Sequence, residues 1–487
     1  MKNIVVILLF LLTFSCSAQL KYDDSVISNK TQVIVKNISK ANVVDDEFIG
    51  IAGTKSEQYK KFEHLKTSTT KELLMLTNHP NGTVRCYAFW ALGSRPNIDT
   101  FKIVKDHLND NEMIEYQSGC VGHFEKVGDF FISLVTPNYI DLDIKKINES
   151  ERNDLDSLLI YQSNELNAKS KAIENAKETP ELYLVLRDLY LKTHNQSALL
   201  KLSKYKRKED IPLILSNRKN DKDKESGYYY TYKAIQNFPE KGFIPFLSDR
   251  IQETLDEKGF DNEWRELYSA IVTYKNQEAL DLLIIPFSKV QHDNIKKYHL
   301  DFIYDAVIKN FDPIYSEILW KIWEQDQNIT LQGYEFYVKN NIKRAYNTTL
   351  KKLGSEDIDN EFSPKFSESI ITNNLEESML NLVLFNDKEA ASKIVENKIL
   401  SADVHSIPIY TSYVQKSKDI RFIDFLFQRF EKEWNTYVYL EIAKTLIKFE
   451  DKVINNRIIA TLKINHKLTE DWGGRELSEL LKENNIR

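Results

Sequence analysis

An all-α fold, specifically an α-solenoid of antiparallel helix pairs, is predicted from three observations. Turn-forming residues are scarce: the 487 residues include 14 glycines and 11 prolines. Glycine is thus about 3% of the chain against a usual ~7%, too little for the turns of sandwiches, propellers or doubly wound sheets. Small and apolar positions stay in phase over three successive segments, marked by Ala234, Ala270 and Ala306. Helix-start signals stand in front of apolar stripes, as at Thr69 to Glu72 and Thr179 to Glu181.

The first eighteen residues are expected to be a secretory signal. Lys2 gives the positive start, Ile4 to Phe14 the apolar run, and Ser15-Cys16-Ser17-Ala18 the small residues before cleavage. Two routes of processing fit: cleavage after Ala18, or lipidation of Cys16, because Thr13-Phe14-Ser15-Cys16 resembles a relaxed bacterial lipobox with Thr13 where Leu is usual. Residues 19–53 carry no clean helical spacing and are expected to be an extended leader. From Thr54 the helical pattern begins. Thr69 and Glu72 form a capping box before Leu73-Leu74. A second helix then carries Val84, Ala88, Ala91 and Leu92, an i, i+4, i+7, i+8 stripe.

This stretch, Asn78 to Gly93, resembles the second helix of a HEAT repeat, with small Ala88 and Ala91 where helices approach closely and Arg85 directly after the turn. The resemblance implies a helical solenoid and no reaction. Ile114, Ser118 and Val121 repeat the spacing of Val84, Ala88 and Ala91, with Glu115 in place of Arg85, so a second HEAT-like helix is expected there. Residues 54–150 are therefore read as N-terminal repeats.

Residues 151–353 are read as the central repeat region. Thr179-Pro180-Glu181 is a helix start, with a hydroxyl cap, proline at the first helical position and a carboxylate on the positive helix end. The charge cluster Arg218 to Lys224 is expected in a loop or boundary. Thr231, Ala234, Ile235 and Phe238 recur as Leu267, Ala270, Ile271 and Tyr274, then as Ile303, Ala306, Val307 and Asn310. Phe243, Phe246 and Leu247 recur in the same phase as Ala279, Leu282 and Leu283, then Tyr315, Ile318 and Leu319. Two helices per repeat keeping one period is what stacked pairs require. Residues 354–366 read as a linker and 367–487 as C-terminal repeats.

Composition limits function. Hydrophobic residues are 42% and charged residues 28%, and the formal net charge is −6, which disfavours nucleic acid as a partner. Beyond the signal the longest apolar runs, such as Leu282 to Phe287, are core-sized, so a membrane contact is expected through a lipid on Cys16 alone. Cys86 and Cys120 are expected to be two buried free thiols. In the repeat register they would sit a turn apart on helices ~8–10 Å apart, beyond the ~7 Å reach of a disulfide.

The glycine-rich stretch Ser118 to Asp129 holds the one arrangement with chemical potential. Cys120 and His123 at i, i+3 would share a helix face, with Glu125 or Asp129 orienting the imidazole. The competing reading is close helix packing around glycine. His292 and His299 lack the i, i+4 spacing of a helical zinc motif and read as solvated, while Asp301 and Asp305 read as a wet helix face. No catalytic signature string occurs, and no cofactor or metal is expected. Tyr228-Tyr229-Tyr230 with Tyr232 cannot all point inward, so an exposed subset is a candidate for binding peptide or sugar. The candidate binding residues are Arg85, Cys120, His123, Asp129, Tyr228 and Tyr229. The reading is an exported, periplasmic or surface-anchored scaffold that binds a protein partner through a concave helical face. The alternatives are a glycan-capturing surface lipoprotein and an (α/α)-toroid acting on polysaccharide.

Overall fold

The computed structural model describes residues 21–137, 144–217, 227–325, 329–354 and 372–486. These residues are mostly helical, as expected of a helical-repeat protein, with a small four-stranded mixed sheet near the N-terminus. The chain divides into two compact units. One is Met1–Arg218 with Lys233–Phe238, and the other is Lys219–Tyr232 with Pro239–Arg487.

The first unit opens with α1 (Asn29–Ala41) and β1 (Val43–Ile49), followed by β2 (Thr54–Lys55), α2 (Glu57–Leu65), α3 (Thr70–Leu76), α4 (Gly82–Gly93) and α5 (Thr100–Asp106). The hairpin β3 (Met113–Gly119) and β4 (Val121–Lys126) leads into α6 (Val127–Val135). Then come α7 (Glu149–Tyr161), α8 (Ala168–Asn175), α9 (Pro180–Thr193), α10 (Gln196–Ser203) and α11 (Ile211–Ser216). Helix α4 is the centre. All twelve of its residues are buried, because α1, α2, α3, α6, β1 and β3 pack around it. A helix apolar on all sides belongs in a core, and the stripe read from the sequence is only part of its contact surface. Asn81 caps it at Val84 N, and the Thr69–Glu72 box caps α3 as expected.

Three expectations are corrected here. Residues 19–53 are not an extended leader in their described part: Ser28 caps α1, whose Thr31, Val35 and Ile38 form a narrow buried stripe, and Val44 enters the core from β1. The all-α expectation gives way to a sheet of order β2-β1-β3-β4, in which β1 and β3 run parallel. The second HEAT-like helix is instead the β3–β4 hairpin. Ile114 and Tyr116 are buried while Glu115 between them is exposed, a period of two rather than 3.6. Gly119 supplies the positive φ of 53° that the first position of a two-residue hairpin turn takes without strain. Helix α4 therefore packs against a hairpin where a repeated helix was expected.

The second unit contains most of the in-phase region; Ala234, Ile235 and Phe238 group with the first. Its helices are α12 (Tyr229–Asn237, whose last residues group with the first unit), α13 (Ile244–Thr254), α14 (Trp264–Val272), α15 (Gln277–Ile284), α16 (Pro286–Lys289), α17 (Asp293–Lys309) and α18 (Ser316–Glu324). The expected core positions are at or near zero exposure: Ala234, Ile235, Leu267, Ala270, Ile271, Ile303, Ala306 and Val307. The partner positions Leu247, Leu283 and Leu319 are equally closed. Each such Leu or Ile contributes about 1.5–3 kcal/mol on burial. Equivalent helices of successive pairs touch, α14 on α17 and α13 on α15.

Tyrosines, two of them fully buried, tie these pairs together. Tyr274 Oη donates to the Glu240 carbonyl (2.7 Å), Tyr315 Oη to that of Val272 (3.2 Å) and Tyr337 Oη to that of Leu319 (2.8 Å). The unit continues with α19 (Leu331–Asn340), α20 (Ile342–Gly354), α21 (Thr372–Asn386), α22 (Lys388–Ser401), α23 (Ile407–Ser417), α24 (Ile423–Phe430), α25 (Thr436–Ile447), α26 (Lys452–Ile464) and α27 (Asp471–Glu483). Alternate helices again touch, α23 on α25 and α25 on α27. Two glycines let helices close. A Cβ on Gly333 of α19 would stand 1.9 Å from Tyr304 Oη, and one on Gly473 of α27 would stand 1.9 Å from Tyr439 Oη. The linker read at 354–366 lies, past Gly354, outside the described residues.

Candidate functional site

Of the residues singled out in the sequence, Arg85 and Asp129 are held by hydrogen bonds within the molecule. Arg85 is 8% exposed. Its Nε and one Nη grip Asp110 at 2.8 and 2.9 Å, and Nη2 also reaches Glu112 at 2.6 Å. Nη1 donates to the His79 and Pro80 carbonyls at 2.7 and 3.1 Å. Five contacts engage all five N–H groups, so none remains for a partner. Burial pushes the Asp110 carboxyl up, but bonds from His107 and Arg85 outweigh it and hold the group below the usual range.

Cys120, His123 and Asp129 do not form a cluster. Cys120 is exposed at the hairpin turn rather than buried. His123 lies on β4, with its ring edge-on to Tyr116 at 5.2 Å and Nε2 3.9 Å from Glu125. Asp129 accepts from Asn167 N and Ala168 N, both at 2.9 Å, and so closes the start of α8 instead of orienting the imidazole. Helical i, i+3 geometry does not exist in a hairpin. Burial pushes the Glu125 carboxyl up to about 7, with the Asp129 charge adding to the effect. Cys86 is buried as expected, and burial pushes its thiol up.

Tyr228 is different. It lines a cavity of about 380 Å³ in the second unit, with Tyr232, Phe260 and Trp264 as the other aromatic walls. Tyr228 precedes α12, Tyr232 lies within it, and Trp264 begins α14. Burial pushes the Tyr232 phenol well up, and the nearby Glu263 charge adds to this. Phe260 is 43% exposed and stacks on Tyr298 at 4.1 Å. Tyr229 is absent from the lining and packs edge-on against Tyr230 at 5.2 Å.

The polar lining is acidic. Among the described residues, Glu253, Glu257, Asp261 and Glu263 line it together with one cation, Arg250. The Arg250 guanidinium lies 4.7 Å from the Tyr228 ring centre and 5.6 Å from that of Phe246, and is ion-paired with Glu253. Its Nε is buried without an acceptor. Glu263 accepts from Tyr228 N at 2.9 Å, which fixes the backbone at the mouth.

Behind the pocket wall stands His299, read in the sequence as solvated but fully buried. Its ring stacks on Trp264 at 4.4 Å and 16°, and its Nδ1 lies 2.6 Å from Tyr268 Oη. Burial lowers its pKa to about 4, a Thr254 main-chain group working the other way. Nε2 makes no hydrogen bond of good geometry. His299 was misread because Tyr298, Asp301 and Asp305 flank it; the helix turns its own face inward, and Leu300 and Ile303 are its buried neighbours. Asp305, read as wet, is ion-paired with Arg265 at 2.8 Å.

A second surface in the same unit is aromatic and open. Trp434, Tyr437 and Trp472 are 74%, 65% and 45% exposed, and the rings of Tyr437 and Trp472 meet edge-on at 5.4 Å. Among the described residues, no group of three His, Cys, Asp or Glu side chains is placed to hold a metal ion. No described helix is long and apolar enough to cross a membrane. Cys16 lies outside the described residues. Comparison with family models, curated proteins and solved structures finds no match to this chain.

Proposed function

We propose that the chain is an exported, non-catalytic α-solenoid scaffold that holds a protein partner on the concave face of its stacked helices. The pocket at Tyr228 carries this reading. Its walls come from α12, α13, α14 and the loop between the last two, so it is a product of stacking rather than of one helix. Tyr, Trp and Arg, which line this hollow, are residue types enriched at the energetic centres of protein interfaces. The in-phase buried positions at Ala234, Ala270 and Ala306 favour stacked repeats as the frame. Export follows from the character of residues 1–18, and surface anchoring would follow from a lipid on Cys16.

The test is capture from envelope extracts by the mature chain and by a Phe260→Ala, Glu257→Gln double variant. A partner retained by the first and lost by the second supports the reading. Recovery of the bare chain by both, together with turnover of a polysaccharide, overturns it. The open aromatics Trp434, Tyr437 and Trp472 favour a second reading, capture of glycan, through flat apolar faces carrying polar edges. Retention on a polysaccharide column, lost on Trp472→Ala, would bear that out.

A further inference from the structure

We infer that β4, in the first unit, is a self-association strand: two copies of the chain join β4 to β4 antiparallel, about a two-fold axis at Phe124, into one continuous sheet. This goes beyond the binding reading above and concerns a different part of the molecule. The first argument is the open edge. The order β2-β1-β3-β4 leaves β4 at the border of the sheet. Gly119 and Cys120 form the two-residue turn that closes Ser118 on Val121, so Val121, His123 and Glu125 direct their main-chain groups to β3. Gly122 and Phe124 direct theirs outward. Among the described residues, no main-chain bond reaches Gly122 or Phe124 from outside the hairpin. Val121 to Phe124 are all exposed, Phe124 at 70%. Sheet edges are commonly blunted by proline, lysine or a bulge. Strand β4 has neither proline nor bulge, and its one lysine, Lys126, is turned to the Glu165 carbonyl at the far end.

The second argument is self-complementarity, which selects a second copy of this chain as the occupant. A two-fold interface sets a strand against its own reverse. With the axis at Phe124, the two Phe124 rings meet on one face of the joint. On the other face His123 of each copy stands across from Glu125 of the other, and aromatic pairs and pairs of complementary charge both favour cross-strand pairing. An axis at His123 would instead oppose two imidazoles and set Glu125 against Val121, and an axis at Gly122 would oppose two glycines. Within one copy, burial, with the Asp129 charge adding to it, pushes the Glu125 carboxyl up to about 7, and His123 Nε2 is 3.9 Å away. A second imidazole, delivered across the joint, answers that carboxylate. The joint runs from Gly122 to Lys126 of each chain, which puts it at the small end of interfaces, below ~1,200 Å², and a Kd of roughly 10–100 µM is expected.

The test is analytical ultracentrifugation of the full chain without residues 1–18. The wild type should show a monomer–dimer equilibrium in that range. Phe124→Glu opposes like charges on the axis, and His123→Glu sets a carboxylate against Glu125. Each should weaken dimerisation at least tenfold with an unchanged melting temperature at low concentration, because both side chains are exposed in a single copy. Leu184→Glu, at an apolar side chain of α9 that is 66% exposed, should not weaken it. The register is read by cysteine pairs in a Cys120→Ser background. Phe124→Cys puts two thiols on the axis, where a bonded antiparallel pair has Cα atoms ~5.5 Å apart, within disulfide reach. Val121→Cys puts them roughly 20 Å apart. Mild oxidation should therefore cross-link the first and leave the second as monomer.

A chain that stays monomeric at ten times the expected Kd overturns the inference, and so does a dimer indifferent to both Phe124→Glu and His123→Glu. Cross-linking of the Val121→Cys form as fast as the Phe124→Cys form would also overturn it, since that result marks random collision rather than a fixed register.

Discussion

Arg85 shows how a residue that resembles a repeat motif can be fully occupied inside the molecule. Its five donors are matched by Asp110, Glu112 and two carbonyls at the start of α4. Removing the guanidinium leaves a buried carboxylate without its counter-charge. Arg85→Met is therefore expected to cost roughly 3–5 kcal/mol, measured by denaturant unfolding; a loss below 1 kcal/mol would show that the network is dispensable.

His299 makes the pH prediction at this scale. Its folded pKa, lowered to about 4, lies under the ~6.5 of an unfolded histidine, so folding favours the neutral ring. The resulting stability is complete above pH 6.5 and is lost as pH falls towards 4, at up to about 1.4 kcal/mol per pH unit. His299→Phe, which cannot titrate, should flatten that limb of the stability–pH curve. An unchanged limb would remove His299 as its source. The sequence marks Tyr228 as one of four neighbouring tyrosines that cannot all point inward. It did not reveal Arg250 or the acidic loop, since Glu257, Gly259 and Asp261 look like any solvated turn until folding sets them in one lining with Tyr228.

At the scale of elements, helix starts were the most legible feature. The Thr69–Glu72 box and the Thr179 cap both form, because the capping atoms lie within three residues of the amides they satisfy. The β3–β4 hairpin was not legible as such. Ile114, Ser118 and Val121 fit a helical spacing by coincidence, while the alternation of Ile114 and Tyr116 across exposed Glu115 carried the true period. Helix α1 was missed because its buried stripe is only Thr31, Val35 and Ile38, too narrow to stand out in a polar segment.

The close approaches at glycine are open to a paired test. Gly333→Ala should destabilise by about 1–3 kcal/mol, since the new methyl meets Tyr304 Oη. Tyr304→Phe in that background should recover part of the loss by removing the oxygen. No recovery would mean that helix α19 strains for another reason.

For the molecule as a whole, in-phase burial was the feature the sequence carried best, because two helices keeping one period constrain each other. The small sheet breaks that regularity, and it lies outside the segment where the period is clean. Contacts gather into two units, so unfolding should depart from a single two-state transition. In differential scanning calorimetry Arg85→Met is expected to lower one component and Gly333→Ala the other. If both variants shift one common peak equally, the chain unfolds as a single cooperative body.

The tip of the β3–β4 hairpin has a practical consequence. Cys86 is sealed within α4 while Cys120 is open to solvent, so a maleimide dye or nitroxide added to the folded chain without residues 1–18, and hence without Cys16, should attach beside Gly119 and leave the core intact. The same openness makes the tip a point where two chains in an oxidising medium can become covalently joined, and a Cys120→Ser chain is the form to store, label elsewhere and weigh.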